Sequence, residues 1–212
     1  MNILIINGSA RENGICKYIA EELSRKILIL DEKAIVSIYS LAEKNIQFCQ
    51  GCVLCCAKKK VYCFIKDDVQ EAYKLMEEAD SIVYISPIYE SFISGILKNF
   101  FDRTNHYTSF FKLAGKPISL ILCGAQPLDG ETKEFSNRHV VANVNDYFEN
   151  YSIITHTKYH FMGFFQSKSH HSKEVTGSIS EFEDKICDIS KKILKQKIDK
   201  KIVAASKNPY RV

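Results

Sequence analysis

Ile3-Leu4-Ile5-Ile6-Asn7-Gly8-Ser9-Ala10-Arg11-Glu12-Asn13-Gly14 is the stretch on which the fold turns. Four consecutive apolar residues, bounded at once by turn formers, read as a short strand buried on both faces. The loop behind them carries two glycines, a serine, an asparagine and an arginine, and a helical pattern follows. Strand, polar loop and helix in that order make the opening unit of a parallel α/β sheet.

The same alternation runs outward along the chain. Ala34-Ile35-Val36-Ser37-Ile38-Tyr39, Ser81-Ile82-Val83-Tyr84-Ile85 and Ile118-Ser119-Leu120-Ile121-Leu122-Cys123 read as strands two to four, and Ile153 to Phe161 as an edge strand. Val69, Ala72, Tyr73, Met76 and Ala79 have helix spacing, as do Ile93, Ile96, Leu97 and Phe100. Phe182, Ile186, Ile189 and Ile193 predict a C-terminal helix over about 178–201. Right-handed crossovers leave few topologies. The expectation is a flavodoxin-like, doubly wound, five-stranded parallel sheet in the order 2-1-3-4-5. It forms one domain over residues 1–212, with a cysteine-rich insertion at 45–66 after strand 2. Residues 162–178, polar and rich in Ser and His, form a second interruption.

Composition agrees with a globular chain: 46% of the 212 residues are hydrophobic and 25% charged. Nine Lys or Arg against two Asp in residues 185–212 account for more than the whole net charge of +4. The positive charge is therefore the solvated face of one helix and not a nucleic-acid footprint. No stretch approaches the roughly 20 apolar residues of a membrane span, and no signal-peptide pattern opens the chain. The expected location is the cytoplasm, where thiols stay reduced and a disulfide framework is a poor account of eight cysteines.

In this topology a ligand sits where the winding reverses, beyond the C-terminal ends of strands 1 and 3. The loop from Gly8 to Gly14 offers backbone N–H groups, a hydroxyl, an amide and a guanidinium at a helix start, which are groups suited to a phosphate. It matches neither the P-loop nor the dinucleotide fingerprint. Ser86-Pro87-Ile88-Tyr89 after strand 3 reads as a rigid proline turn that supplies a wall for a flat ligand, and the loop from Gly124 to Gly130 closes the site. A mononucleotide with a planar ring fits both. Each loop read separately is also compatible with an ordinary turn.

Gly8-Ser9-Ala10-Arg11-Glu12-Asn13-Gly14 resembles the Gly-Ser-Pro-Arg-x-Asn-Gly-Asn-Thr loop of the NADPH-dependent FMN reductase family. Ser86-Pro87-Ile88-Tyr89, with Ser94, Leu97-Lys98 and Phe101-Asp102-Arg103-Thr104, resembles that family's second signature. The cysteine segment and Asp67-Asp68 resemble the iron–sulfur flavoprotein subgroup. The resemblance covers about residues 1–125. It implies an FMN-dependent oxidoreductase, with NAD(P)H as an electron donor and a homodimer or homotetramer as the assembly. It also implies that Ser9, Arg11 and Asn13 hold the phosphate, with Gly14 and the backbone of Ile15 and Cys16 beside them. Pro87, Ile88, Tyr89 and Phe92 then border the isoalloxazine ring, and Ser91 and Gly124 are the other expected cofactor-binding residues. Two departures stand out. Ile15-Cys16 replaces the family's Asn-Thr, which predicts weakened FMN binding, and Ser91 stands where a small residue, often glycine, is usual.

Five cysteines fall within residues 49–63. Cys49, Cys52, Cys55 and Cys63 have the spacing of a loop that wraps a [4Fe–4S] cluster, with Cys56 able to replace Cys55. Lys58, Lys59 and Lys60 would offset the cluster's charge. Zinc sites more often pair two Cys-x2-Cys units at longer separation; zinc and buried metal-free thiols remain alternatives. Cys123 and Cys187 read as core residues. His106, His139, His156, His160, His170 and His171 show no metal-ligand spacing, and no catalytic triad or carboxylate pair stands out, as expected where a flavin carries the chemistry. The leading function is electron transfer through FMN and the cluster to a small acceptor or to a redox protein such as ferredoxin. The alternatives are a cluster-free FMN or quinone reductase and a non-enzymatic redox sensor.

Overall fold

The computed structural model describes residues 1–57, 62–130, 136–168 and 177–207. Lys58, Lys59, Lys60, His170 and His171 lie outside them. The strands are β1 (Asn2–Asn7), β2 (Ile35–Ser40), β3 (Ser81–Tyr89), β4 (Phe92–Ile93), β5 (Pro117–Gly124) and β6 (Lys158–Gln166). Five are parallel, in the order β2-β1-β3-β5-β6, and β4 pairs antiparallel with β3. The fold is thus the expected flavodoxin-like α/β sheet, with one correction: it has six strands, because the chain after β3 folds back as a hairpin.

Alternate residues of each central strand feed opposite cores. Leu4, Ile6, Ile82, Tyr84, Leu120 and Leu122 meet α3 (Val69–Glu78), α4 (Gly95–Arg103) and α6 (Arg138–Thr155). Ile3, Ile5, Val83, Ile85, Ile121 and Cys123 meet α1 (Ile15–Leu30) and α7 (Ile179–Leu194). Helix α1 buries Ile15, Cys16, Ile19, Ala20, Leu23 and Ile27, a single stripe at helical spacing. Short helices α2 (Leu54–Ala57), α5 (His106–Phe110) and α8 (Lys200–Ser206) complete the chain order.

Three boundaries differ from expectation. The edge strand is Lys158–Gln166, not 153–161, because α6 buries Val141, Val144, Phe148, Tyr151 and Thr155 on one stripe and so extends through Thr155. Ile153 and Ile154 are exposed on its outer side, and His156 ends it in the left-handed conformation. Residues 162–166 accordingly belong to β6, while Ser178 caps α7 by a reciprocal capping box with Glu181. The C-terminal helix breaks after Leu194. Gln196 there turns its side chain under the sheet to bond the buried hydroxyls of Ser81 (2.8 Å) and Ser119 (2.9 Å). Asp199 then caps α8, accepting from the N–H groups of Lys201 and Ile202.

Candidate functional site

The first site lies at the C-terminal end of the parallel sheet. A cleft there is lined by Ser9, Arg11, Gly14, Ile15, Cys16, Pro87, Ile88, Tyr89, Gly124 and three further residues. Its floor is a close junction. The Gly8 N–H donates to the Ile85 carbonyl at 2.8 Å, and the Ser94 hydroxyl donates to the Gly8 carbonyl. Ser94 also caps α4, accepting from the Leu97 N–H at 3.2 Å, and its own N–H donates to Ser86 Oγ at 3.1 Å. A Cβ on Gly8 would stand 2.9 Å from Leu97 Cβ and 3.1 Å from the Ile85 carbonyl oxygen, so only glycine fits.

On one side of the cleft, α1 begins at Gly14 with no side-chain cap and no acid in its first turn. Its first N–H groups lack intrahelical acceptors, and with the helix dipole they favour an anion. Ser9 is buried, and its Oγ accepts from the Arg11 N–H at 3.1 Å, leaving the hydroxyl proton to donate elsewhere. The Arg11 guanidinium lies 5.8 Å from the centre of the Tyr89 ring. On the other side, Pro87, Ile88 and Tyr89 form the wall. They are not the expected proline turn: Ser86-Pro87-Ile88-Tyr89 continues β3, and the turn is Glu90-Ser91, with φ of 46° and 61°.

Three expected residues are not in this lining. Asn13 is exposed on the loop, Ser91 sits at the hairpin tip, and Phe92 packs edge-on against Tyr147. Cys123, Ala125 and Ser167 are added. Cys123, read from sequence as a core residue, is indeed buried, but it also lines the cleft; burial and a hydrogen bond with Cys16 push its thiol well above the ordinary range. The sequence places the site at the ends of strands 1 and 3, with the loop after strand 4 closing it; it sets the edge strand too early and gives no signal for Ser167.

The second site is built by the segment between β2 and α3. Cys49, Cys52, Cys55 and Cys63 line one pocket, together with Phe64, Ile65, Asp102, Arg103 and Asn105. Among the described residues no group of three or more His, Cys, Asp or Glu stands close enough to hold a metal ion. Cys49 and Cys52 are exposed, Cys55 is half-buried and Cys63 is buried. Burial and a hydrogen bond with Cys56, at 3.8 Å, push the Cys55 thiol up to about 12. Cys56 is outside this lining and accepts from the Asn105 amide at 3.3 Å. Cys187, expected in the core, is only half-buried.

The cysteine segment is held at both stems. Asn99 donates to the Ile46 carbonyl at 3.0 Å, and Gln70 donates to the carbonyls of Cys63 (3.1 Å) and Ile65 (3.0 Å). Arg103 and Asp67 form a fully buried pair, Nη1 to Oδ2 at 2.6 Å and Nη2 to Oδ1 at 3.1 Å. Burial alone would raise the Asp67 carboxyl, but Arg103 and the Gln47 N–H outweigh it and hold it below its usual range. Asp68 secures the remaining turn, accepting from the Asn45 N–H at 2.7 Å. Helix α4 therefore joins the two sites, with Ser94 before its first turn at the cleft and Arg103 at the cysteine pocket. Its nine residues span about 14 Å.

Sheet topology, an anion-ready helix start and a flat wall at the reversal of winding define a flavodoxin-like protein with a cleft suited to a mononucleotide. Residues 1–151 match the family model described as NADPH-dependent FMN reductase. An iron–sulfur flavoprotein of Methanocaldococcus jannaschii is 32% identical over 66% of this chain and 70% of its own. One of Methanosarcina thermophila is 24% identical over 93% and 99% of the two chains, and one of Clostridioides difficile is 33% identical over 50% and 46%. The chain belongs to the NADPH-dependent FMN reductase family, in its iron–sulfur flavoprotein subgroup, and is an FMN-dependent oxidoreductase. Among solved structures, an NADH:FMN oxidoreductase superposes with a TM-score of 0.59 at 16% identity over 95% of this chain and 92% of its own. An NADPH-quinone reductase from P. pentosaceus gives 0.55 at 14% identity over 91% and 96%. At these identities the likeness is one of fold. No helix among the described residues is long and apolar enough to cross a membrane.

Proposed function

We propose that this oxidoreductase passes electrons through FMN in the cleft and a [4Fe–4S] cluster held by Cys49, Cys52, Cys55 and Cys63, to a small acceptor or a redox protein such as ferredoxin. The observation that carries the reading is the pairing of the two sites: nine residues expected at the flavin line one cleft, and all four expected thiolates line one pocket at the far end of the same helix. When bound, the flavin supplies one- and two-electron chemistry and the cluster one-electron chemistry.

The donor sets suit both groups: a cubane takes one thiolate per iron, so its four cysteines surround a pocket and do not crowd about a single ion. The first-turn N–H groups of α1, the Ser9 hydroxyl and Arg11 bind and orient the phosphate. Losing the family's Asn-Thr side chains at Ile15-Cys16 leaves backbone donors there and weakens binding without abolishing it. Pro87, Ile88 and Tyr89 exclude water from one edge of the ring. Cys55, not Cys56, is the third thiolate, because Cys56 is turned toward Asn105. Phe48, Val53, Leu54 and Phe64 are exposed beside the cysteines, and this apolar rim is where we place the contact with a protein partner or with the other protomers of a homodimer or homotetramer.

The test is anaerobic purification followed by assay of iron, acid-labile sulfide and FMN, with an absorption spectrum. About four irons and four sulfides with one FMN per chain is the expected result. FMN without iron would replace this reading by a cluster-free NAD(P)H-dependent reductase, and metal without flavin by a sensor.

A further inference from the structure

A single side chain ties both stems of the cysteine segment. Arg103, 1% exposed, donates from Nη1 to the Gln47 carbonyl at 2.6 Å and from Nη2 to the Ile65 carbonyl at 3.5 Å. Gln47 stands two residues before Cys49, and Ile65 two residues after Cys63. The other two η hydrogens go to Asp67, which also accepts from the Gln47 N–H at 2.9 Å and the Val69 N–H at 3.2 Å. One planar fork thus sets the distance between the two ends of a loop whose middle carries the thiols.

A guanidinium has five N–H donors in fixed directions. Four of Arg103's are satisfied as described; the fifth, at Nε, is buried and has no partner among the described residues. A buried charged donor left unpaired is costly, and in a native protein such a donor ordinarily serves a bound group. Arg103 lines the same pocket as Cys49, Cys52, Cys55 and Cys63; Val53, Phe64 and Ile65 lie beside them, and neither Asp102 nor Asn105, polar members of that lining, bonds Nε.

We propose that Arg103 is a positioning residue for the cluster: its Nη groups fix the two stems that space the thiolates, and its Nε–H donates to a sulfur of the bound cluster. This inference rests on the cluster reading above. A donor to sulfur stabilises the more negative, reduced cluster and so raises its potential. Asp67 works in the opposite direction by neutralising the guanidinium. The two residues of one ion pair should therefore shift the potential with opposite signs.

The experiment compares the full-length wild type with Arg103→Lys, Arg103→Gln and Asp67→Asn, each reconstituted anaerobically with ferrous iron and sulfide. A wild type that takes up no iron ends the cluster reading itself, before any variant is considered. If it does take up iron, dithionite titration should give a lower potential in both Arg103 variants and a higher one in Asp67→Asn. Loss of iron to a chelator should be roughly ten- to a hundred-fold faster in the Arg103 variants. FMN affinity should be unchanged in all three, because the flavin cleft lies at the other end of α4. Iron-loaded Arg103 variants with wild-type potential and retention would overturn the proposal. Should those variants fail to fold, the near-isosteric Asp67→Asn decides, and an unchanged or lowered potential there refutes it.

Discussion

Cys55 and Cys56 are adjacent in sequence and interchangeable by spacing; their neighbours separate them. Cys55 lines the pocket, while Cys56 is engaged by Asn105. Cys56→Ser is expected to retain the wild-type iron content and Cys55→Ala to lose it, as iron and sulfide assay would read. His106 is a second residue whose character comes from its surroundings. It is buried among Tyr62, Tyr73 and Tyr107, with both ring nitrogens unpartnered among the described residues. Burial, with the Lys112 charge adding to it, lowers its pKa to about 3. Unfolded, it titrates near 6.5. Its contribution to stability is therefore complete above pH 6.5 and is lost as pH falls toward 3, with a slope of at most about 1.4 kcal/mol per pH unit. Denaturant midpoints between pH 7 and 5 should fall in the wild type and flatten in His106→Phe. An equal slope in the two proteins would remove His106 as the cause.

At the scale of elements, the β3–β4 hairpin is the least legible piece. Pro87 suggested a turn because proline disrupts ladders. Here β3 has already passed the end of β1, whose pairing stops at Ile85, so the strand can accept a proline on that side. The turn falls at Glu90-Ser91, where two positive φ values join Tyr89 to Phe92, the arrangement that ordinarily selects Asn-Gly. Holding Ser91 there costs roughly 1 kcal/mol relative to glycine. Ser91→Gly should therefore stabilise the protein by about that amount in equilibrium unfolding; no gain would mean that the turn relaxes in solution. The C-terminal helix was legible from its buried stripe of Phe182, Ile186, Ile189 and Ile193, but not its end: the expected helix over about 178–201 breaks after Leu194.

Across the whole molecule, β1, β3 and α4 meet at Gly8, and both sites depend on how α4 is seated. Gly8→Ala would press a methyl into Leu97 and the Ile85 carbonyl, moving α4 away from the sheet. The expected result is about 1–3 kcal/mol of destabilisation and weaker FMN binding, measured by urea unfolding and by fluorescence titration of the flavin. A variant with wild-type affinity would show that the cleft does not rely on this junction. The parallel α/β class, the relative order of the five parallel strands and the end of the sheet where the cleft opens were legible in the sequence, because buried parallel strands are short apolar runs and right-handed crossovers leave few topologies; the added strand β4 was not. The spacing of the four thiols was equally explicit. Only the tertiary structure decided that α6 runs through Ile153 and Ile154, that Cys16 and Cys123 share the cleft, and that Cys56 faces Asn105. It alone revealed that Arg103 and Asp67, 36 residues apart, close the cysteine segment at both ends. The physical reason is that periodicity records which face of an element is buried, whereas a hydrogen bond between distant side chains leaves no trace in the local pattern.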